Sequence, residues 1–120
     1  GNPHAVIFVD EITDRLVHEA GSFIEKHALF PNNTNEEFVY VLNESMLCMR
    51  VWERGAGETL ACGTGACATM VAGVMNGLCA REVKIKLLGG ELTIEWSERD
   101  NCVYMTGEAV EVFTGQYNPR

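Results

Sequence analysis

Cys62 stands where the stretch Glu53-Arg54-Gly55-Ala56-Gly57-Glu58-Thr59-Leu60-Ala61-Cys62-Gly63-Thr64-Gly65-Ala66-Cys67-Ala68 passes into an uncharged helix. The first N–H groups of a helix lack intrahelical partners, and its dipole places partial positive charge there. A thiol at that point is drawn toward thiolate, and the same N–H groups can hold a bound carboxylate. Most free cysteines are small buried hydrophobes. Gly63 and Gly65 set Cys62 apart, because a plain core position has no use for them. Cys48, Cys67, Cys79 and Cys102 lack that setting and read as core or strand residues.

Glu53-Arg54 closes a strand just before a glycine turn. An arginine there can clamp a carboxylate through two parallel hydrogen bonds. Glu53 can accept from an ammonium group or tune a neighbouring thiol. Taken without the cysteine segment, the pair reads as a solvated surface ion pair. His4, alone, is an ordinary histidine at a strand start, and His18 and His27 read as helix-surface residues. Asn2 and Asn35 are turn residues or amide partners for a polar ligand.

The elements that must position these groups follow from periodicity. Ala5 to Val9 is a continuous apolar run, short enough for a buried strand. Thr13 or Asp14 caps a helix to about His27, whose Leu16, Val17, Ala20, Phe23, Ile24 and Ala28 keep the helical period, with Gly21 weakening it. Phe30 to Asn35 is turn chemistry. Strands are expected at Phe38–Leu42 and Leu47–Trp52, joined by Asn43-Glu44-Ser45. A helix from Cys62 to about Leu78 stops at Asn76-Gly77. Strands at Val83–Leu88 and Glu91–Trp96 meet in a hairpin at Gly89-Gly90. Cys102–Met105 and Ala109–Phe113 complete the strands, and Gly115 to Arg120 reads as a tail or linker. The class is α+β: a bent, mostly antiparallel sheet, rolled like a barrel around one central helix.

Length and composition set the bounds. The 120 residues, 47% of them hydrophobic, suit one domain with a modest core. The net charge of -8, with nine scattered Lys and Arg, leaves no basic stripe for nucleic acid. Five cysteines without a CxxC pair read as reduced thiols in the cytoplasm, not as a disulfide framework or zinc site. Thr59 to Ala80 carries no charge and is long enough to span a bilayer. Its four glycines after Cys62, with Thr64, Thr69 and Asn76, favour a helix buried within a soluble domain. GxxxxGK[ST], GxSxG and HExxH are absent, and no lysine suggests a pyridoxal phosphate site. No metal is expected. The opening Gly1-Asn2-Pro3-His4 runs straight into a strand, so the chain reads as a piece of a longer protein.

Three motifs carry a resemblance. Gly1-Asn2-Pro3-His4, then Phe30-Pro31 with Thr34-Asn35, then Glu53 through Ala68 resemble the C-terminal half of diaminopimelate epimerase. The resemblance spans nearly the whole chain. It implies a pyridoxal-independent enzyme, without cofactor, that interconverts LL- and meso-2,6-diaminopimelate for lysine and cell-wall synthesis. It implies two similar domains with the substrate between them, of which residues 1–120 form one and the N-terminal domain is missing. Two thiols, one per domain, face opposite sides of the α-carbon, and Cys62 matches the C-terminal one. His4 and Glu53 match residues that set thiol protonation. Asn2, Asn35, Glu53 and Arg54 match residues that bind the substrate's ends, while Gly63 and Thr64 match the N–H groups that hold its α-carboxylate. The family's other cysteine lies in an Asn-Gly-x-Arg-Cys-type segment that this sequence does not contain, so the chain alone is expected to be inactive. A homodimer is open as well. Two rivals remain: a related amino-acid racemase or isomerase of the same fold, and a non-catalytic module binding carboxylate or phosphate.

Overall fold

The computed structural model describes residues 4–27, 34–59 and 63–107. Strand β1 (His4–Phe8) leads to helix α1 (Asp14–Lys26). Strands β2 (Asn35–Asn43), β3 (Met46–Glu53) and β4 (Gly57–Thr59) follow, then helix α2 (Gly63–Met75). Strands β5 (Glu82–Leu87), β6 (Gly90–Trp96) and β7 (Val103–Gly107) complete the described chain.

One mixed sheet holds all seven strands in the order β1-β2-β3-β5-β6-β7, with β4 on β3. Most pairings are antiparallel, but β1 runs parallel to β2 and β3 parallel to β5. One edge of β3 is shared. Met46–Cys48 pair with β5, and Val51–Glu53 pair with β4. As described, the path is open and does not close into a barrel.

The helices lie on opposite faces. α2 touches β1, β2, β6 and β7, so the sheet bends around it as expected. Its Ala66, Cys67, Met70 and Val71 join Val39, Met49, Val51, Ile85, Ile94 and Val103 in the main core. Small residues let α2 sit close. A Cβ on Gly73 would come within 2.6 Å of the Cys79 sulfur. On the other face, α1 packs against β3 and β4 with Val17 and Ile24 fully buried. Thr13 caps it, its hydroxyl accepting from the Leu16 N–H at 3.0 Å.

Several boundaries shift from the sequence reading. β2 begins at Asn35 rather than Phe38, taking in Glu36 and Glu37. β4 is too short to show a period. α2 ends at Met75, before Gly77 at φ +70°. The β5–β6 turn falls on Leu88-Gly89, because Leu87 pairs directly with Gly90. Within α1, Gly21 has a packing reason, since the Trp52 indole lies against its Cα. The first three residues, the Phe30–Asn33 part of the turn, Leu60 to Cys62, the Ala109–Phe113 strand and the C-terminal tail lie outside the described residues. Among the described residues no helix is long and apolar enough to cross a membrane.

Candidate functional site

Strand register assembles the site. His4 pairs with Asn35, and Asn35 pairs with Glu53, which in turn faces Gly57 on β4. Directly paired residues share a sheet face. His4, Asn35 and Glu53 therefore form one row across β1, β2 and β3. Residues two places along, Val6, Glu37 and Val51, follow on the same face. This is the face α2 covers, because Phe8, Val39 and Met49 of that face belong to its core. Gly63 and Thr64 open α2 on that side. Cys62 and Asn2 lie outside the described residues; Cys62 directly precedes α2 in sequence, and Asn2 stands two residues before His4.

The row is polar and largely buried. Asn35 is 3% exposed. Glu37 is 0% exposed, and His4 Nδ1 lies 3.1 Å from its Oε1 and 3.3 Å from its Oε2. Burial pushes the Glu37 carboxyl above the ordinary carboxylate range, and His4 opposes the shift by charge and hydrogen bond. Glu53 is half-buried and makes no ion pair among the described residues.

Arg54 adjoins the row but its guanidinium also meets α1. Nε donates to the Ile24 carbonyl at 3.0 Å, and Nη2 reaches the Glu25 carbonyl at 3.4 Å. These carbonyls end a helix, where cations are favoured. The Arg54 backbone N–H donates to the Thr34 carbonyl at 2.9 Å, tying the end of β3 to the residue before Asn35. Gly55 and Gly57 make the β3–β4 hairpin at φ +94° and +85°, a region that favours glycine. The first two glycines of the cysteine segment thus shape a hairpin, while Gly63 and Gly65 belong to α2.

Sequence reasoning missed Glu36 and Glu37, although adjacent carboxylates running into Phe38-Val39, in a strand covered on both faces, are a readable anomaly. It also missed the ion pair behind the hairpin, where Arg50 Nε and Nη2 donate to Glu58 at 2.6 and 2.8 Å.

Solved structures define the class of fold first. A phenazine biosynthesis protein of the PhzF family from Bacillus anthracis aligns with 88% of this chain and 34% of its own, at a TM-score of 0.62 and 24% identity. A putative phenazine biosynthesis PhzC/PhzF protein from Clostridium difficile aligns with 82% and 35%, at 0.60 and 19%. The likeness is one of fold: an α+β domain with a helix held inside a bent sheet.

Sequence comparison goes further. The family model for diaminopimelate epimerase matches residues 1–112. Diaminopimelate epimerase of Moorella thermoacetica is 58% identical over 117 residues, covering 98% of this chain and 42% of that protein. Those of Acetivibrio thermocellus and Methanococcus maripaludis are 57% and 53% identical over 116 residues, covering 97% of this chain and 41% and 42% of theirs. The chain belongs to the diaminopimelate epimerase family. It spans about 42% of the length of the curated relatives it matches.

Proposed function

We propose that this chain is the Cys62-bearing half of an isomerase that interconverts LL- and meso-2,6-diaminopimelate in lysine and peptidoglycan precursor synthesis. The family match over residues 1–112 supports the reading. The observation that carries it is the polar row of buried Asn35 between half-buried His4 and Glu53 on the face covered by α2.

The chemistry is a two-base proton transfer at the α-carbon. One thiolate takes the α-proton, breaking C–H and forming S–H, and the opposite thiol returns a proton to the other face. Cys62 is one of these thiols, and a second domain supplies the other. The α-proton is very weakly acidic and an ordinary thiol has a pKa of about 8.5, so the carbanion needs fixed dipoles and exclusion of water. Helix N–H groups at Gly63 and Thr64 hold the α-carboxylate. Asn2, Asn35 and Arg54 bind the polar ends, and His4 and Glu53 set thiol protonation. The reaction needs no cofactor, and the enzyme works in the cytoplasm.

The test uses the 120-residue chain in deuterated buffer. Diaminopimelate should protect Cys62 from alkylation, and Cys62 should alkylate well below pH 8.5. LL-diaminopimelate should show no α-deuteration. Turnover by the chain alone would overturn the half-site reading. A Cys62 no more reactive than the half-buried Cys79, whose pKa burial raises, would overturn the enzymatic one.

A further inference from the structure

Glu37 occupies a position that packing alone does not explain. Its register neighbours are Val6 on β1 and Val51 on β3, both apolar. A valine at position 37 would complete that row and suit the strand. Instead a fully buried carboxylate stands there, and its one ion-pair partner among the described residues is the His4 ring. Burying such a pair stabilises a fold little, and an apolar replacement of similar volume is often neutral or better. Natural proteins keep such costly groups where function requires them.

We propose that Glu37 is a positioning residue for His4. It accepts the Nδ1–H and fixes the imidazole in the Nδ1-protonated tautomer, so that Nε2 is presented as a bare acceptor toward the site. The hydrogen bond made by one ring nitrogen decides which nitrogen carries the proton. Both carboxylate oxygens lie within 3.3 Å of Nδ1, so the ring is held in angle as well as in tautomer. The His4 side chain remains 18% exposed while Glu37 is sealed, which leaves His4 as the outward member of the pair. The inference rests on the reading that His4 serves the epimerase site.

The test is nitrogen-15 NMR of the imidazole in the 120-residue chain, above the pH range in which histidine is charged, paired with thermal melting. Wild type should show the Nδ1-protonated tautomer. In E37V the ring should lose that preference while the protein melts at the same temperature or higher. In E37Q, whose amide oxygen can still accept, the tautomer should persist. An Nε2-protonated ring in wild type would overturn the proposal. So would an E37V protein that melts lower or fails to fold, because Glu37 would then be a structural strap. None of these measurements involves substrate or Cys62. Failure of the epimerase reading, seen by alkylation, is therefore separable from failure of this one.

Discussion

Glu25, in the last turn of α1, holds the β3–β4 hairpin through Gly55: its Oε1 accepts the Gly55 backbone N–H at 2.8 Å. The same oxygen lies 3.2 Å from the Trp52 indole nitrogen, and the carbonyls of Ile24 and Glu25 take the Arg54 guanidinium. One helix end therefore fixes three residues of the hairpin, Trp52, Arg54 and Gly55. Arg54, read from sequence as a substrate clamp, gains its orientation from α1.

E25A removes an acceptor from two N–H groups, one of them on the half-buried Trp52. The expected cost is about 1–2 kcal/mol in chemical denaturation of the chain. E25Q keeps the oxygen and should stay within about 0.5 kcal/mol of wild type. Equal losses in the two variants would mean that charge, and not the acceptor geometry, matters at this position.

Much of this was legible in the sequence for reasons that are local. The apolar period of α1, the glycines around Cys62 and the alternation in β3 depend on neighbours in the chain. The fold class and the site list followed from them and from the family motifs. Glu37 was not legible, because its partner His4 is 33 residues away and only the β1–β2 register brings them together. Gly21 was half legible. It was read as a weak point in α1, but the Trp52 indole that needs the space arrives from β3. Cys62 and Asn2 were legible as motif residues, while their geometry lies outside the described residues.

Glu36 gives the chain a loss of stability on the alkaline side. It pairs with Trp52, on the face opposite Glu37, and is 6% exposed with Oε1 lacking a hydrogen-bond partner among the described residues. Burial, and then the Glu37 charge, push its carboxyl above the ordinary 4.5. The folded state thus binds the proton more tightly than the unfolded one. That contribution is full below pH 4.5 and is lost as pH rises through the raised value. E36Q should match wild type near pH 4 and exceed it at pH 8 by on the order of 1 kcal/mol. Denaturation midpoints at both pH values measure this; an E36Q that is less stable at pH 8 refutes it.

Arg50 and Glu58 set the opposite slope on the acid side. Their side chains are 17% and 15% exposed, and Asp14 also meets Arg50 Nη1 at 2.7 Å. The Arg50 hydrogen bond holds the Glu58 carboxyl below 4.5. A depressed carboxylate stabilises above its unfolded pKa, and the effect is lost as pH falls through the folded value. E58Q should cost about 2 kcal/mol at pH 7, and the deficit should shrink below pH 4. A deficit that holds constant down to pH 3 would show that shape rather than charge pairing is at stake.

Gly21→Ala puts helix propensity against packing. At an exposed helical site the change gains about 1 kcal/mol. Here the added Cβ would strike the Trp52 ring. That ring cannot swing away freely, since its nitrogen is held by Glu25 and His18 packs edge-on at 5.8 Å. Overpacking of this kind costs about 1–3 kcal/mol, which outweighs the gain. G21A should therefore destabilise, and adding E25A, which frees the indole, should cost less than the sum of the two single changes. A double-mutant cycle by urea denaturation measures the coupling. Strict additivity would mean that Glu25 does not hold Trp52 against α1, and the hairpin would then need another anchor.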